Sequence, residues 1–249
     1  WPDARLCGVD SVLVRGLCGV DLNPDAVELC KVALWMEALE PGRPLTFLDH
    51  HIRCGNSLLG ATPELMDGGI PNDAFNPVTG DSKEVAKLVK ARNREELKSE
   101  GQASLDLDDW APKIGRLAYA YHDIEEMGDE TAADIERKGR SYDAYLKGSE
   151  YALARFAADT WCAAFFWPMN DRDGAFPTNA VFRKVEKSPQ AYITAPLGEH
   201  VRSIARENRF FHWQLEFPTI FGASSEQRVA SSDRASSEER VARDRKSVV

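Results

Sequence analysis

No apolar run in this chain of 249 residues reaches the roughly 20 residues that span a bilayer, and no signal peptide is visible. A membrane span is thereby excluded from the reading, and a soluble, cytoplasmic protein is expected. Cysteine is scarce: five residues, Cys7, Cys18, Cys30, Cys54 and Cys162, odd in number and scattered. They make no zinc spacing and no disulfide framework, and several sit inside apolar patterns and read as buried thiols in a reducing cytosol. Basic charge is also short, the net charge being −9. Duplex binding depends on Lys and Arg at phosphates, so any contact with nucleic acid must use a local basic face or another region. No Gly-x-Gly-x-x-Gly stretch occurs; one upstream would favour a nicotinamide-dependent oxidoreductase, against which the Gly55-Asn56-Ser57 and aromatic stretches argue. A hydrophobic content of 43% is enough for one large domain or two small ones.

What is present begins at Gly19-Val20-Asp21-Leu22-Asn23-Pro24. The apolar residues Leu17, Cys18 and Val20 lead to the carboxylate of Asp21, and a helical pattern follows. Asn23 is a favoured N-cap and Pro24 suits the first helical position. Val27, Cys30, Leu34 and Ala38 recur on one face. A strand ending in an acid before a helix is the arrangement with which nucleotide-binding sheets hold ribose hydroxyls. The competing reading is an acid that merely caps the next helix.

Ile52 and Cys54 then suggest a short strand ending at Gly55-Asn56-Ser57. Gly55 permits close backbone approach. Asn56 offers both a donor and an acceptor, which suits an adenine edge, although the triplet is also ordinary turn chemistry. The third stretch is aromatic, Phe210-Phe211-His212-Trp213-Gln214-Leu215-Glu216-Phe217-Pro218-Thr219-Ile220-Phe221, and by composition alone it reads as core.

In this order the three stretches resemble the N6-adenine DNA methyltransferases of large restriction–modification and phage-defence enzymes. Ile70-Pro71-Asn72-Asp73-Ala74-Phe75-Asn76-Pro77-Val78-Thr79-Gly80-Asp81 and Trp161-Cys162-Ala163-Ala164-Phe165-Phe166-Trp167-Pro168 look like the same family. The resemblance runs from Leu17 to about Phe221. It implies S-adenosylmethionine as cofactor, with Asp21 at the ribose, Leu22 against the adenine face and Asn56 at the adenine edge. It implies double-stranded DNA as partner, contacted mainly through other regions, together with fused or separate restriction or defence subunits. In such enzymes an Asn-Pro-Pro-Tyr-type motif accepts hydrogen bonds from the target amino group of an adenine taken out of the stack.

Neither that motif nor the family's upstream glycine-containing cofactor loop occurs in the sequence. The expectation is therefore an internal fragment with no catalytic residue of its own. From Ala223 the composition turns to Ser, Arg, Glu, Asp and Ala, and Ala223-Ser224-Ser225-Glu226 is echoed at Ala235-Ser236-Ser237-Glu238. A segment so poor in apolar residues does not offset its ordering entropy. Residues 223–249 are expected to be disordered and non-native, with a natural linker as the competing reading.

The expected fold class is α/β, a partial Rossmann-like methyltransferase sheet with a long, mostly helical insertion. Residues 1–60 form the cofactor-binding segment, 61–208 the insertion, and 209–222 the return to the sheet. Within the insertion, helical spacing covers Lys83 to Lys98, Ile114 to Met127, Thr131 to Leu146, Ser149 to Phe166 and Leu197 to Asn208. Pro177 to Val185 is read as a short extended piece. His50, His51 and Cys54 do not have a standard zinc spacing, so no metal is expected. Asp106, Asp108 and Asp109 read as a solvated loop rather than a nuclease cluster. His212 and Trp213 are read as core packing before base stacking, and Glu216 as support for a catalytic loop or a solvent-facing acid. Two rival classes stand beside the methyltransferase: a non-catalytic fragment or helical interaction module, and the oxidoreductase.

Overall fold

The computed structural model describes residues 17–38, 44–100, 110–171 and 174–221. Strand β1, Gly19–Asp21, pairs in parallel with β2, Ile52–Cys54, Asp21 lying opposite Cys54. Between them runs α1, Pro24–Glu37, with the Asn23 side chain accepting from the Asp25 N–H at 3.0 Å and Pro24 in the first turn. The local signals that predicted this strand, turn and helix therefore hold. The expected apolar face of α1 holds only in part. Val27 is buried, but Cys30, Leu29 and Met36 are exposed, and Lys31 is buried instead, held by Glu28 at 2.7 Å and by Asp49. Two three-residue strands offer a 14-residue helix little to pack against.

The remainder is helical. Helix α2, Pro63–Asp67, and a short 3-10 turn at Asn72–Phe75 precede α3, Lys83–Glu100. Helices α4, Trp110–Glu125, α5, Ala132–Lys147, and α6, Ser149–Ala163, follow, close to the ranges that periodicity predicts. Thr131 and Asp134 close a reciprocal capping box at the start of α5. A 3-10 turn at Ala164–Phe166 leads on to α7, Asn179–Lys187, α8, Pro189–Ile193, and α9, Pro196–Asn208. Two single-turn helices end the described chain, α10, Trp213–Glu216, and α11, Pro218–Phe221.

Helix α6 is the centre of the core. Its second half, Phe156 to Ala163, is buried on every side, and its alanines let α9 and α7 pack closely. Met66, Ile70, Phe75, Phe182, Val185 and Val201 fill the space around it. The loop at Ile70 is held by polar clamps: Asn93 donates to the Ile70 carbonyl at 2.9 Å, Asn179 accepts from the Ile70 N–H at 3.1 Å, and Trp161 donates to the Gly69 carbonyl at 2.9 Å. Asn93 and Asn179 are both fully buried, so these bonds satisfy groups that water cannot reach.

Several expectations are corrected. The described residues contain one two-stranded sheet, and the fold is mostly helical, so the α/β class and the Rossmann-like methyltransferase sheet do not stand. The return of residues 209–222 to that sheet amounts to a single parallel bridge between Asn56 and Phe210. Leu215 to Phe221 turns helically because its N–H groups find partners locally. Leu215 and Glu216 both donate to the His212 carbonyl at 2.9 Å, and Phe221 donates to Phe217 at 3.1 Å. Pro218 lacks the donor a central strand needs but fits a first helical turn. Pro177 to Val185 is mostly helix rather than extended, with Phe182 and Val185 three residues apart on its buried face. Cys54, like Cys30, is exposed rather than buried, and Glu216 is buried rather than solvent-facing. Cys7, the aspartates 106, 108 and 109, and the tail from residue 223 lie outside the described residues.

Candidate functional site

The carboxyl ends of β1 and β2 form one edge. The Gly55 N–H donates to the Asp21 carbonyl at 2.9 Å, which carries the pairing one residue past the strands. Asp21 is exposed, and one carboxylate oxygen accepts from the Asn23 N–H at 2.7 Å. The second oxygen has no partner among the described residues. Asn56 stands two residues beyond β2. Its Oδ1 accepts from the Leu58 N–H at 3.1 Å, and its Nδ2 donates to no described group. Leu22 is 51% exposed and Leu58 89% exposed, so two uncovered leucines belong to the same edge. The structure thus brings Asp21, Leu22 and Asn56 together, with an acceptor, a donor and an apolar surface free.

Gly55 does permit a close approach to the backbone, and what approaches is the Phe211 ring. A Cβ there would lie 2.5 Å from the Phe211 ring, and one at Gly60 would lie 2.1 Å from the Phe211 carbonyl oxygen. Both glycines let the aromatic stretch close over the end of β2. The Phe211 N–H donates to the Leu59 carbonyl at 2.8 Å, and the Asn56 N–H donates to the Arg209 carbonyl at 2.7 Å. Asn56 is therefore fixed from both sides.

Behind this edge lies a buried ionic network that composition could not reveal. Glu216 is 2% exposed. It accepts from the Tyr151 hydroxyl at 2.8 Å and from Arg155 Nη1 at 3.3 Å, and it pairs with Arg53. Burial works against charge on Arg53 and Arg155, but Glu216 and the tyrosine oxygens outweigh it and hold both guanidinium groups above their usual pKa. Burial first, and then Glu216, pushes the Tyr151 hydroxyl up, so it stays a donor. His212 is fully buried, with Nδ1 accepting from the Ala61 N–H at 3.0 Å, so Nε2 carries the hydrogen that faces Asp159 at 2.9 Å. It is a core residue and offers no face for base stacking. The half-buried Trp213 donates to the Ser57 carbonyl at 3.1 Å.

His50 and His51 are also buried. Burial, with smaller contributions from neighbouring cations, lowers His50 to about 2 and His51 to about 4. His50 stacks on Phe47 with centroids 5.3 Å apart, and neither of its ring nitrogens has a hydrogen-bond partner. Among the described residues no group of three or more His, Cys, Asp or Glu side chains is placed to hold a metal. None of the described helices is long and apolar enough to cross a membrane.

A cleft of about 660 Å³ opens beside the strand ends, between α6 and α9. Its walls include Cys54, Tyr151 and Phe210, and five arginines: Arg53, Arg155, Arg202, Arg206 and Arg209. Arg209 donates to the Leu22 carbonyl, which ties the end of α9 to the edge that carries Asp21. Arg202, Arg206 and Arg209 recur at helical spacing along α9 and its end, a signal the sequence already held, whereas Arg53 and Arg155 are distant in sequence and join them only through the packing of α6 against α9. The chain matches no protein-family model, no curated protein and no solved structure.

Proposed function

We propose that this chain is the part of an S-adenosylmethionine-dependent DNA adenine N6-methyltransferase that holds the adenosine half of the cofactor. The observation that carries the reading is the parallel pairing that sets Asp21 opposite Cys54 and so brings the Asp21 carboxylate and the Asn56 amide to one strand edge. The residues present fit the group. The unpartnered Asp21 oxygen is the acceptor a ribose hydroxyl needs, the free Asn56 Nδ2 is a donor for an adenine ring nitrogen, and Leu22 supplies an exposed apolar face. The bound cofactor would supply an activated methyl group. The residues of this chain bind and orient its adenosine, and the catalytic Asn-Pro-Pro-type motif is not among them. The order of the sequence motifs supports a restriction–modification or phage-defence setting. The mostly helical architecture means that the reading stands on the strand edge and the motifs, not on a methyltransferase sheet.

The test is thermal unfolding of the chain with S-adenosylhomocysteine. At one hundred times Kd the ligand adds about 2.7 kcal/mol, a rise of roughly 5–10 °C for a chain of this size. Asp21→Ala removes an exposed side chain, so the unliganded protein should melt within a few degrees of the parent while losing that rise. A rise that survives Asp21→Ala would refute the ribose assignment.

A further inference from the structure

We propose that the arginine-lined cleft between α6 and α9 is a track for the phosphodiester backbone of the DNA strand. This partner assignment rests on the methyltransferase reading of the adjacent strand edge, while the anionic character of the ligand rests on the cleft alone.

The charge balance points to an anion. Arg53 and Arg155 are neutralised by Glu216 and Asp159. Arg202 and Arg209 donate to carbonyl oxygens, Ile193 and Leu22, which offset no charge. Arg206 is exposed and has no partner among the described residues. Three cationic groups are therefore left uncompensated in one concavity of a protein whose net charge is −9. Asp159 is the one acid among the lining residues, and it is already engaged by Arg155 and His212; a cleft in which one sign of charge predominates focuses the field and draws in ligands of the opposite sign. The volume, about 660 Å³, lies within the range of ligand clefts. Helix-end chemistry explains part of the set, since Arg206 and Arg209 offset the dipole at the carboxyl end of α9.

It does not explain Arg209 in full. Arg209 follows the helix with φ of 53°, in the left-handed region where glycine is the unstrained choice. An arginine kept in that conformation is there for its side chain, which reaches the turn after β1. The S-adenosylmethionine sulfonium is itself cationic, so the arginines do not belong to that end of the cofactor. A phosphodiester strand offers repeated single charges that match a row of guanidinium groups. The cleft begins at Cys54, immediately beside Asp21 and Asn56, where a strand delivering a base to the cofactor would pass.

The experiment is fluorescence anisotropy of a labelled 20-base-pair duplex across a salt series, using the intact chain and three variants, Arg202→Ala, Arg206→Ala and Arg209→Gly. The expected result is weakened binding in each variant, with the slope of log K against log salt falling by about 0.9 per arginine removed. Arg209→Gly also relieves the left-handed backbone, so loss of binding without loss of thermal stability separates the ligand role from folding. Equal affinity and slope in all three variants overturns the proposal. Inorganic pyrophosphate binding to the cleft while the duplex does not bind also overturns it, in favour of a free phosphate ligand. S-adenosylhomocysteine binding is read on the same samples. Duplex binding that needs the arginines, with no cofactor binding, keeps the track and sinks the methyltransferase reading. Cofactor binding with arginine-independent duplex binding does the reverse.

Discussion

Replacing Glu216 with Ala tests the ionic network that ties α10 to α6 and β2. Glu216 is 2% exposed and holds three partners: Arg53, Arg155 and the Tyr151 hydroxyl. The two arginines fare differently when it is removed. The Arg155 side chain is 40% exposed and can turn to water or to Asp159, whereas the Arg53 side chain is 14% exposed and cannot. Removing one partner of a buried pair costs about 3–5 kcal/mol, chiefly because the other charge is stranded. With one of the two cations able to rehydrate, the lower end applies, about 3 kcal/mol. For a chain of this length that lowers Tm by roughly 6–12 °C. Glu216→Gln keeps the size and an acceptor for Tyr151 and should cost less than Glu216→Ala. Urea unfolding gives the free energies directly. A loss below about 0.5 kcal/mol, the size of an ordinary surface substitution, would refute the buried network as the element that holds α10 in place.

Three further outcomes are expected. His51 stays neutral in the folded protein down to about pH 4, while its unfolded value is near 6.5. Its neutral burial therefore contributes stability that is complete above pH 6.5 and is lost as pH falls toward 4. Across that window the parent should lose up to about 1.4 kcal/mol per pH unit more than His51→Gln, and parallel urea-stability curves between pH 7 and 5 would contradict this. His50→Phe replaces a buried ring whose nitrogens lack partners, so it should raise stability at pH 7 by about 1–2 kcal/mol, read from the urea midpoint; a drop would show that those nitrogens are satisfied. Gly60→Ala would set a methyl 2.1 Å from the Phe211 carbonyl and should cost about 3 kcal/mol, whereas an unchanged Tm would mean that this close approach is absent.

The parts of this structure that were legible in sequence are those fixed within one turn of chain. Asn23 and Pro24 announced the start of α1, and the spacing of apolar residues located α3 to α6 and α9 to within a few residues. The aromatic stretch from Phe210 is the core that its composition announced, with Phe210, Phe211, Leu215 and Phe217 buried, but its backbone does not make the expected return to the sheet. Among the described residues one bridge, Asn56 to Phe210, is the strand pairing it finds; Phe211 donates to Leu59, and from Leu215 onward the N–H groups bond within the segment. The buried face of α7 was missed because two large residues three apart, Phe182 and Val185, fit a short extended piece as readily as a nine-residue helix. At the strand edge, Asp21 and Asn56 could be placed because each follows a short apolar run. Arg202, Arg206 and Arg209 could have been grouped by their helical spacing, but Arg53 and Arg155 could not be joined to them, since no local pattern links β2 and α6 to α9. Glu216 was misjudged for the same reason: its burial depends on Arg53 and Tyr151, which no local pattern links to it.

The most direct test of the central claim is calorimetric titration of the chain with S-adenosylhomocysteine and, separately, with NAD. The expected result is saturable one-site binding of S-adenosylhomocysteine that Asp21→Ala abolishes and Asn56→Ala weakens, with no comparable heat from NAD. Binding of NAD in its place, or S-adenosylhomocysteine binding indifferent to both substitutions, would contradict it.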